Sequence, residues 1–284
     1  MFGKKKKRRS ASALIKTIEP DGNKMLKMDL TDGHFLLLSD VQNEGSRPYQ
    51  EDSYGYSNIT SDELIAQKGF LSVVADGMGG LSYGKAVSEA VVSGMLDFFN
   101  SPDTICRNGE DLKDRAQEIN SFICSHFSPD GKINAGSTLA CALIHNSILH
   151  WLCIGDSRIY LRRNSQLYQI NEDHDYLNML LEEAIFNEEP IYRAFESPEK
   201  DALVGCIGNT QFNKADYSLN GLELKSGDTI MICSDGIYNA ISEKLLNQYL
   251  ELTPEIAVKK IEKTVLDKKF QTQDNLTIIV INYN

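Results

Sequence analysis

The order of elements legible in this chain predicts an α+β protein, with largely antiparallel sheets and helices packed outside them. Three observations carry that prediction. Strand-like runs come in groups rather than in strict alternation with helices, which disfavours a parallel sheet wound by crossovers. Two of the runs, 137–145 and 147–154, are separated by almost nothing and therefore read as a hairpin. The first helical pattern places Ala86, Val87, Ala90, Val91, Gly94, Met95 and Phe98 on one face, the signature of a helix buried on a single side.

In chain order, residues 1 to about 33 read as a basic, mobile tail grading into a first hairpin, with turn-prone Pro20-Asp21-Gly22-Asn23 and Asp32-Gly33. Strand-like runs follow at 34–41 and 70–76, then helical patterns at 82–99 and 110–127. A meander comes next: 137–145, 147–154 and 157–163, closed by a short strand over Gln166 to Ile170. The stretch 171–221 is polar, weakly periodic and acidic in its middle (Glu182, Glu183, Glu188, Glu189). It reads either as a functional lid or as a surface excursion with a short helix near 174–185. A strand at 228–234 leads to helices at 243–251 and 254–268, started by Ser242-Glu243 and by Thr253-Pro254-Glu255. The last strand covers 275–282. Neither an internal repeat nor a linker divides the chain, so 34–284 is expected to be one domain.

Composition narrows the class. With 284 residues, 42% hydrophobic and 24% charged, the chain has the make-up of an ordinary globular protein. Its longest apolar runs are strand-sized, well short of the roughly 20 residues that cross a membrane as a helix. No secretory signal follows the basic start. The six cysteines have no paired spacing, and Cys141, Cys153 and Cys233 lie in apolar runs. Buried reduced thiols in a cytoplasmic protein are the expectation. Net charge is -11 although Lys4 to Arg9 are all basic, so the body is strongly acidic and no nucleic-acid partner is expected. The basic run itself reads as a solvated end, or as a weak contact to an anionic membrane surface.

Three aspartates each stand where a buried-looking strand stops: Asp76 after FLSVVA, Asp156 after HWLCIG and Asp235 after DTIMICS. Asp274 stands just ahead of the last apolar run. Carboxylates converging on one place repel unless a cation lies between them. Hard oxygen ligands without His or Cys favour Mg²⁺ or Mn²⁺ over Zn²⁺. The Gly77-Met78-Gly79-Gly80 turn after Asp76 lets a main-chain carbonyl join such a site. It lacks the Lys-Ser/Thr pair of a nucleotide loop and the G-x-G-x-x-G spacing. Upstream, Arg47 and the pair Glu51-Asp52 offer a guanidinium for phosphate and carboxylates for metal.

Taken together, Arg47…Glu51-Asp52-Ser53, Val74-Ala75-Asp76-Gly77-Met78-Gly79-Gly80, Ala135-Gly136-Ser137-Thr138, Gly155-Asp156-Ser157-Arg158, Ser234-Asp235-Gly236 and Asp274-Asn275 resemble, in order, the metal-dependent protein phosphatases of the type 2C Ser/Thr family. The resemblance runs from about 34 to 282. It implies a four-layer α-β-β-α sandwich, two packed antiparallel sheets flanked by helices. It also implies two Mn²⁺ or Mg²⁺ ions: Asp76 bridges them, the Gly77 carbonyl binds one, and Asp235 and Asp274 complete the coordination of the second ion. Asp52, or its neighbour Glu51, is implied as a direct or water-mediated ligand. Asp156 with Asp235 is implied to hold a third, weaker ion. Arg47 is implied to bind the substrate phosphate, with Ser137-Thr138 as packing near the site. Asp76, Asp235 and Arg47 would then carry catalysis.

The implied reaction is hydrolysis of phosphoserine and phosphothreonine on proteins by direct attack of a metal-bridged water, with no phosphoenzyme. The expected partners are phosphorylated proteins made by a Ser/Thr kinase, and the enzyme is expected to be a monomer. A cysteine-based route is excluded on spacing, since Cys153 and Arg158 stand one residue short of C-x₅-R. One departure matters: where animal members of the family carry His after the Asp-Gly pair, this chain has Met78, as many bacterial members do. The general acid is thereby left open. His174 reads as a helix-start or surface residue before it reads as a catalytic one. Two rivals stand beside this reading. A pseudophosphatase would keep the fold without turnover, and a nuclease would need a basic groove that this acidic body lacks.

Overall fold

The computed structural model describes residues 15–18, 25–30, 32–57, 62–79, 83–127, 135–210, 212 and 214–284. The basic run Lys4–Arg9, the Pro20-Asp21-Gly22-Asn23 turn and Gly80 lie outside these. All strand pairings are antiparallel.

Among the described residues the larger sheet has seven strands. In spatial order they are β1 (Ile15–Ile18), β2 (Met25–Asp29), β3 (Phe35–Asn43), β15 (Leu276–Tyr283), β14 (Asp228–Cys233), β10 (Arg158–Arg163) and β11 (Gln166–Gln169). Its central strands are apolar on both faces, and the period of two explains why. Ile230 and Ile232 of β14, Ile279 and Ile281 of β15, and Ile159 and Leu161 of β10 belong to one buried cluster. The residues between them (Met231 and Cys233, Ile278 and Val280, Tyr160) belong to a second. That second cluster is closed by α7 (Glu243–Tyr249) and α8 (Pro254–Asp267) through Leu246, Val258, Ile261 and Val265.

The smaller sheet runs β12 (Asp216–Tyr217), β9 (Ile148–Ile154), β8 (Leu139–His145), β5 (Phe70–Ala75) and β4 (Ser53–Tyr56), with β13 (Leu222–Glu223) also paired to β9. Helix α2 (Tyr83–Asn100) lies against β4 and β5, and α3 (Gly109–Phe127) against β9. Val87, Val91, Met95 and Phe99 of α2 and Leu112, Ala116 and Ile123 of α3 are buried there. The result is helix, sheet, sheet, helix, the four layers expected. The β8–β9 hairpin turns on Asn146 and Ser147, both at positive φ (49° and 62°), which matches the right-handed twist of the strands.

Several pieces were not legible beforehand. The expected strand at 137–145 is interrupted at Thr138: Gly136–Ser137 (β7) leaves the sheet to pair with Gly77–Met78 (β6). Strand β4 reads Ser-Tyr-Gly-Tyr, too short and too polar on average to declare itself. Helices α1 (Asp62–Lys68), α6 (Asp235–Tyr238) and α5 (Tyr192–Phe195) span one or two turns, below the length at which periodicity is visible. Between 171 and 221 the chain forms α4 (Tyr176–Phe186) and α5, and is held by isolated bridges Asp175↔Leu203 and Ser137↔Ile207.

Candidate metal centre

Strands β5, β10, β14 and β15 bring Asp76, Asp156, Asp235 and Asp274 toward one end of the two sheets, and β4 adds Asp52. Asp76 follows the last residue of β5, and its backbone is fixed on both sides. Its N–H donates to Thr138 Oγ1 (2.8 Å), while the Thr138 N–H donates to the Asp76 carbonyl (2.8 Å). Thr138 Oγ1 also meets Ser157 Oγ at 2.7 Å. The break between β7 and β8 therefore has a role: Thr138 turns its hydroxyl to the Asp76 loop instead of continuing the ladder. A β-carbon at Gly77 would stand 2.5 Å from the Glu51 carbonyl oxygen, so only glycine lets these two loops touch. Gly155 sits at φ +99°, a conformation that places Asp156 after the end of β9.

Asp52 is 2% exposed. Its Oδ2 accepts from Ser234 Oγ (2.7 Å), and Ser234 Oγ in turn accepts from the Thr277 N–H (3.0 Å). Its Oδ1 is buried without a hydrogen-bond donor. Asp235 opens the one-turn helix α6. Its Oδ2 accepts from Asn239 Nδ2 (3.2 Å), and its Oδ1 is likewise buried and unpartnered. Asp274 differs: Oδ1 accepts from the Asn275 N–H (2.9 Å) and Oδ2 from Arg47 Nη2 (2.6 Å), so both oxygens are engaged. Asn275 ties the Arg47 loop to β15, since its Oδ1 accepts from the Glu51 N–H (2.7 Å) and its Nδ2 donates to the carbonyls of Glu44 (2.9 Å) and Tyr49 (3.0 Å). Asp156 is held through its main chain, whose carbonyl accepts from Tyr238 Oη (3.0 Å).

The electrostatics follow from that gathering. Burial, reinforced by the charges of Asp52, Asp235, Asp156 and Asp274, pushes the Asp76 carboxyl well above its ordinary value. Burial also lifts Asp52 to about 6 and, with Asp156 and Asp274 nearby, Asp235 to about 7. Asp156 and Glu51 are raised chiefly by burial. These groups resist ionising next to one another, as acids do in a site that needs a cation. Among the described residues no three His, Cys, Asp or Glu side chains yet close on a common point. Asp76 itself lies within hydrogen-bond reach of both Asp52 and Asp235. The two orphaned buried oxygens, on Asp52 and Asp235, are the atoms that fit a hard divalent ion. Beside them a cleft of about 260 Å³ is lined by Asp235, Asn239, Phe270, Thr272, Gln273 and Asp274, among others.

Two readings of single residues change. His174 stands just before α4, as read, but is not at the surface. It is 4% exposed, its Nδ1 accepts from the Gly155 N–H (3.1 Å), and its own N–H donates to the Gly155 carbonyl (2.9 Å). Burial pulls its imidazole below the usual histidine value. Ser137-Thr138, read as packing, includes the residue that holds Asp76. Ser234, Asn275 and Tyr238 were not singled out as supports. The first two adjoin the motif acids, and that adjacency was the available signal. Cys153 is fully buried and its thiol is pushed far up, consistent with an inert sulfur.

Comparison with known proteins agrees with this geometry. A model of the family described as protein phosphatase 2C matches residues 49–270. The chain is 27% identical over 242 residues to the serine/threonine phosphatase stp of Listeria welshimeri, covering 84% of this chain and 92% of that one. It is 26% identical over 236 residues to the serine/threonine protein phosphatase PstP of Mycobacterium tuberculosis, covering 80% of this chain and 43% of that protein. The crystal structure of the M. tuberculosis phosphatase PstP/Ppp shares the fold with a TM-score of 0.70 at 24% identity, covering 87% of this chain and 98% of that one. The PstP catalytic domain solved with two manganese ions gives 0.68 at 22%, covering 88% and 98%. A family match across most of the chain, on a fold that brings the motif acids to one sheet end, means that this protein belongs to the protein phosphatase 2C family.

Proposed function

We propose that this protein hydrolyses phosphoserine and phosphothreonine on proteins, with Mn²⁺ or Mg²⁺ held at the acid cluster. The observation that carries the reading is the pair of buried, donorless oxygens on Asp52 and Asp235 within a group of acids whose burial raises their proton affinity. The two manganese ions in the related PstP domain support the choice of metal. Asp76, Asp235, Asp274 and Asp52 would hold two ions with the Gly77 carbonyl, and Asp156 with Asp235 a third. When bound, such ions supply an activated water and neutralise charge on the phosphate.

The chain's own residues do the rest. Thr138 and Ser234 hold Asp76 and Asp52 in place before substrate arrives, so little reorganisation is left for the reaction. Arg47, half-exposed and paired with Asp274, exchanges that carboxylate for the substrate phosphate as ligands enter. Met78 cannot donate a proton, so the leaving alkoxide takes its proton from solvent at the cleft. The substrates are phosphoproteins made by a Ser/Thr kinase, and we propose a cytoplasmic monomer. Among the described residues no helix is long and apolar enough to cross a membrane.

Release of phosphate from a phosphothreonine peptide with Mn²⁺, Mg²⁺ or EDTA tests the reading. Turnover should require the ion and fall by about a thousandfold, roughly 4 kcal/mol of barrier, in both Asp76→Ala and Asp235→Ala. A folded protein that binds Mn²⁺ yet turns over no peptide would instead be a pseudophosphatase.

A further inference from the structure

Exposed large hydrophobic side chains concentrate on one part of the surface. Ile185 (70% exposed) and Phe186 (88%) at the end of α4 stand in the same short stretch as Ile191, Tyr192 and Phe195 around α5, and the two helices pack on each other. Such a cluster marks an interaction site more often than a solvated face. It is set in acid: residues 182–201 hold seven Asp/Glu against two Lys/Arg, a net charge of -5. Two ion pairs involve these charges, Lys214–Glu182 at 3.2 Å and Arg193–Glu189 at 3.9 Å. Glu188, Glu196 and Glu199 are exposed around the apolar group.

The face is tied to the metal end. At the root of α4, His174 exchanges two hydrogen bonds with Gly155, the residue before Asp156. Next to it, Asp173 (side chain 7% exposed) pairs with Arg158 at 2.6 Å, and the Arg158 guanidinium lies 3.6 Å from the centre of the Tyr238 ring. Tyr238 belongs to α6, which begins with Asp235. From this root the 11 residues of α4 extend about 16 Å. An extended peptide covers that distance in about five residues.

We infer that the α4–α5 face is a docking site for substrate phosphoproteins, taking a segment that combines Lys/Arg with an apolar or aromatic side chain about five to eight residues from the phosphorylated residue. The inference rests on the phosphatase reading and deepens it. Charge complementarity selects the basic character of the segment, and the exposed Phe186–Tyr192 group selects its apolar anchor. Because the root is fixed to Gly155 and α6, a segment docked there arrives at a set distance from the acids. Docking then acts on substrate capture rather than on the chemical step.

The test compares two phosphothreonine peptides with Mn²⁺, one carrying Arg-Lys-Phe six residues from the phosphothreonine and one with Gln-Gln-Ala there, each built on both sides. Wild type should favour the first by about tenfold in kcat/KM, through KM, and lose the preference at about 0.5 M salt. Phe186→Ser and the pair Glu183→Lys with Glu188→Lys should erase the preference. Turnover of p-nitrophenyl phosphate should be equal in all three proteins, which shows them folded and active. Equal kcat/KM for the two peptides in wild type overturns the docking site while leaving the phosphatase intact. Absence of any turnover, p-nitrophenyl phosphate included, removes the reading beneath it. A dimer that Phe186→Ser dissolves, with the peptide preference unmoved, would assign the face to a second copy and likewise overturn the inference.

Discussion

Asp52 and Asp235 each pair one carboxylate oxygen with a hydroxyl or amide and leave the other buried and bare. That division makes their titration readable. Without ions, both hold protons to a higher pH in the folded state than in the unfolded one, to about 6 and about 7 against 3.8. The stability they contribute is fully present below the unfolded value and is lost as pH rises through 6 to 7. Divalent ions compete with those protons, so ion binding releases protons and strengthens as pH rises. Calorimetry should therefore show a larger Mn²⁺-induced rise in Tm at pH 8 than at pH 6, and less so in Asp235→Asn. An ion effect independent of pH would argue that these acids are not ligands. His174 works in the opposite sense. Its depressed value contributes stability above its unfolded value near 6.5 that is lost as pH falls, so the two effects are separable by His174→Gln.

At the scale of elements, the stretch between β11 and β12 is anchored by a near-buried ion pair. Among the described residues, removing Arg158 leaves the Asp173 carboxylate with the Gln169 amide (2.7 Å) as its hydrogen-bond donor. Arg158→Ala should cost about 3 kcal/mol, read as a lower urea midpoint, because an uncompensated carboxylate stays in the interior. Arg158→Lys should recover part of it, since an ammonium cannot reproduce the fork to Asp173 or lie flat on Tyr238. The β10–β11 hairpin offers a gain instead. Its turn residues Asn164 and Ser165 both have positive φ (51° and 61°), and Ser165 is exposed. Ser165→Gly should raise stability by about 0.5 kcal/mol, because Asn-Gly suits this turn without a β-carbon in the left-handed region.

Over the whole molecule, the acid cluster is joined by both sheets: Asp52 and Asp76 come from the smaller one, Asp235 and Asp274 from the larger. Ion binding should thus resist separation of the layers. Mn²⁺ at about 100 times its Kd should stabilise the folded chain by about 2.7 kcal/mol. For a chain of this length that is a Tm rise of about 4–5 °C, reversed by EDTA and absent from Asp76→Ala. A Tm indifferent to Mn²⁺ would mean that the ions do not bridge the sheets.

Asp76, Asp156 and Asp235 were legible in the sequence because each stands at a sharp boundary between a largely apolar run and a glycine or serine turn. The period-two alternation of β10, β14 and β15 was hidden, since both faces of those strands are buried and every position is apolar. Nothing local distinguishes Thr138, Ser234 and Asn275 from ordinary polar residues. Their partners lie 62, 182 and 224 residues away in the chain, and only packing brings them within hydrogen-bond reach. His174 stands just before α4, as a helix-start residue would, and only its burial was not legible, because burial is a property of what folds over a residue. By itself the sequence determined the class, largely antiparallel sheets with helices outside, through local pattern, and the family, with the four layers it implies, through the order of its motifs. Tertiary structure alone decided which carboxylate oxygens are left bare, that Arg47 lies against Asp274, and that an acidic, apolar face is tied to the acid cluster. These depend on distances between segments, which no run of neighbouring residues encodes.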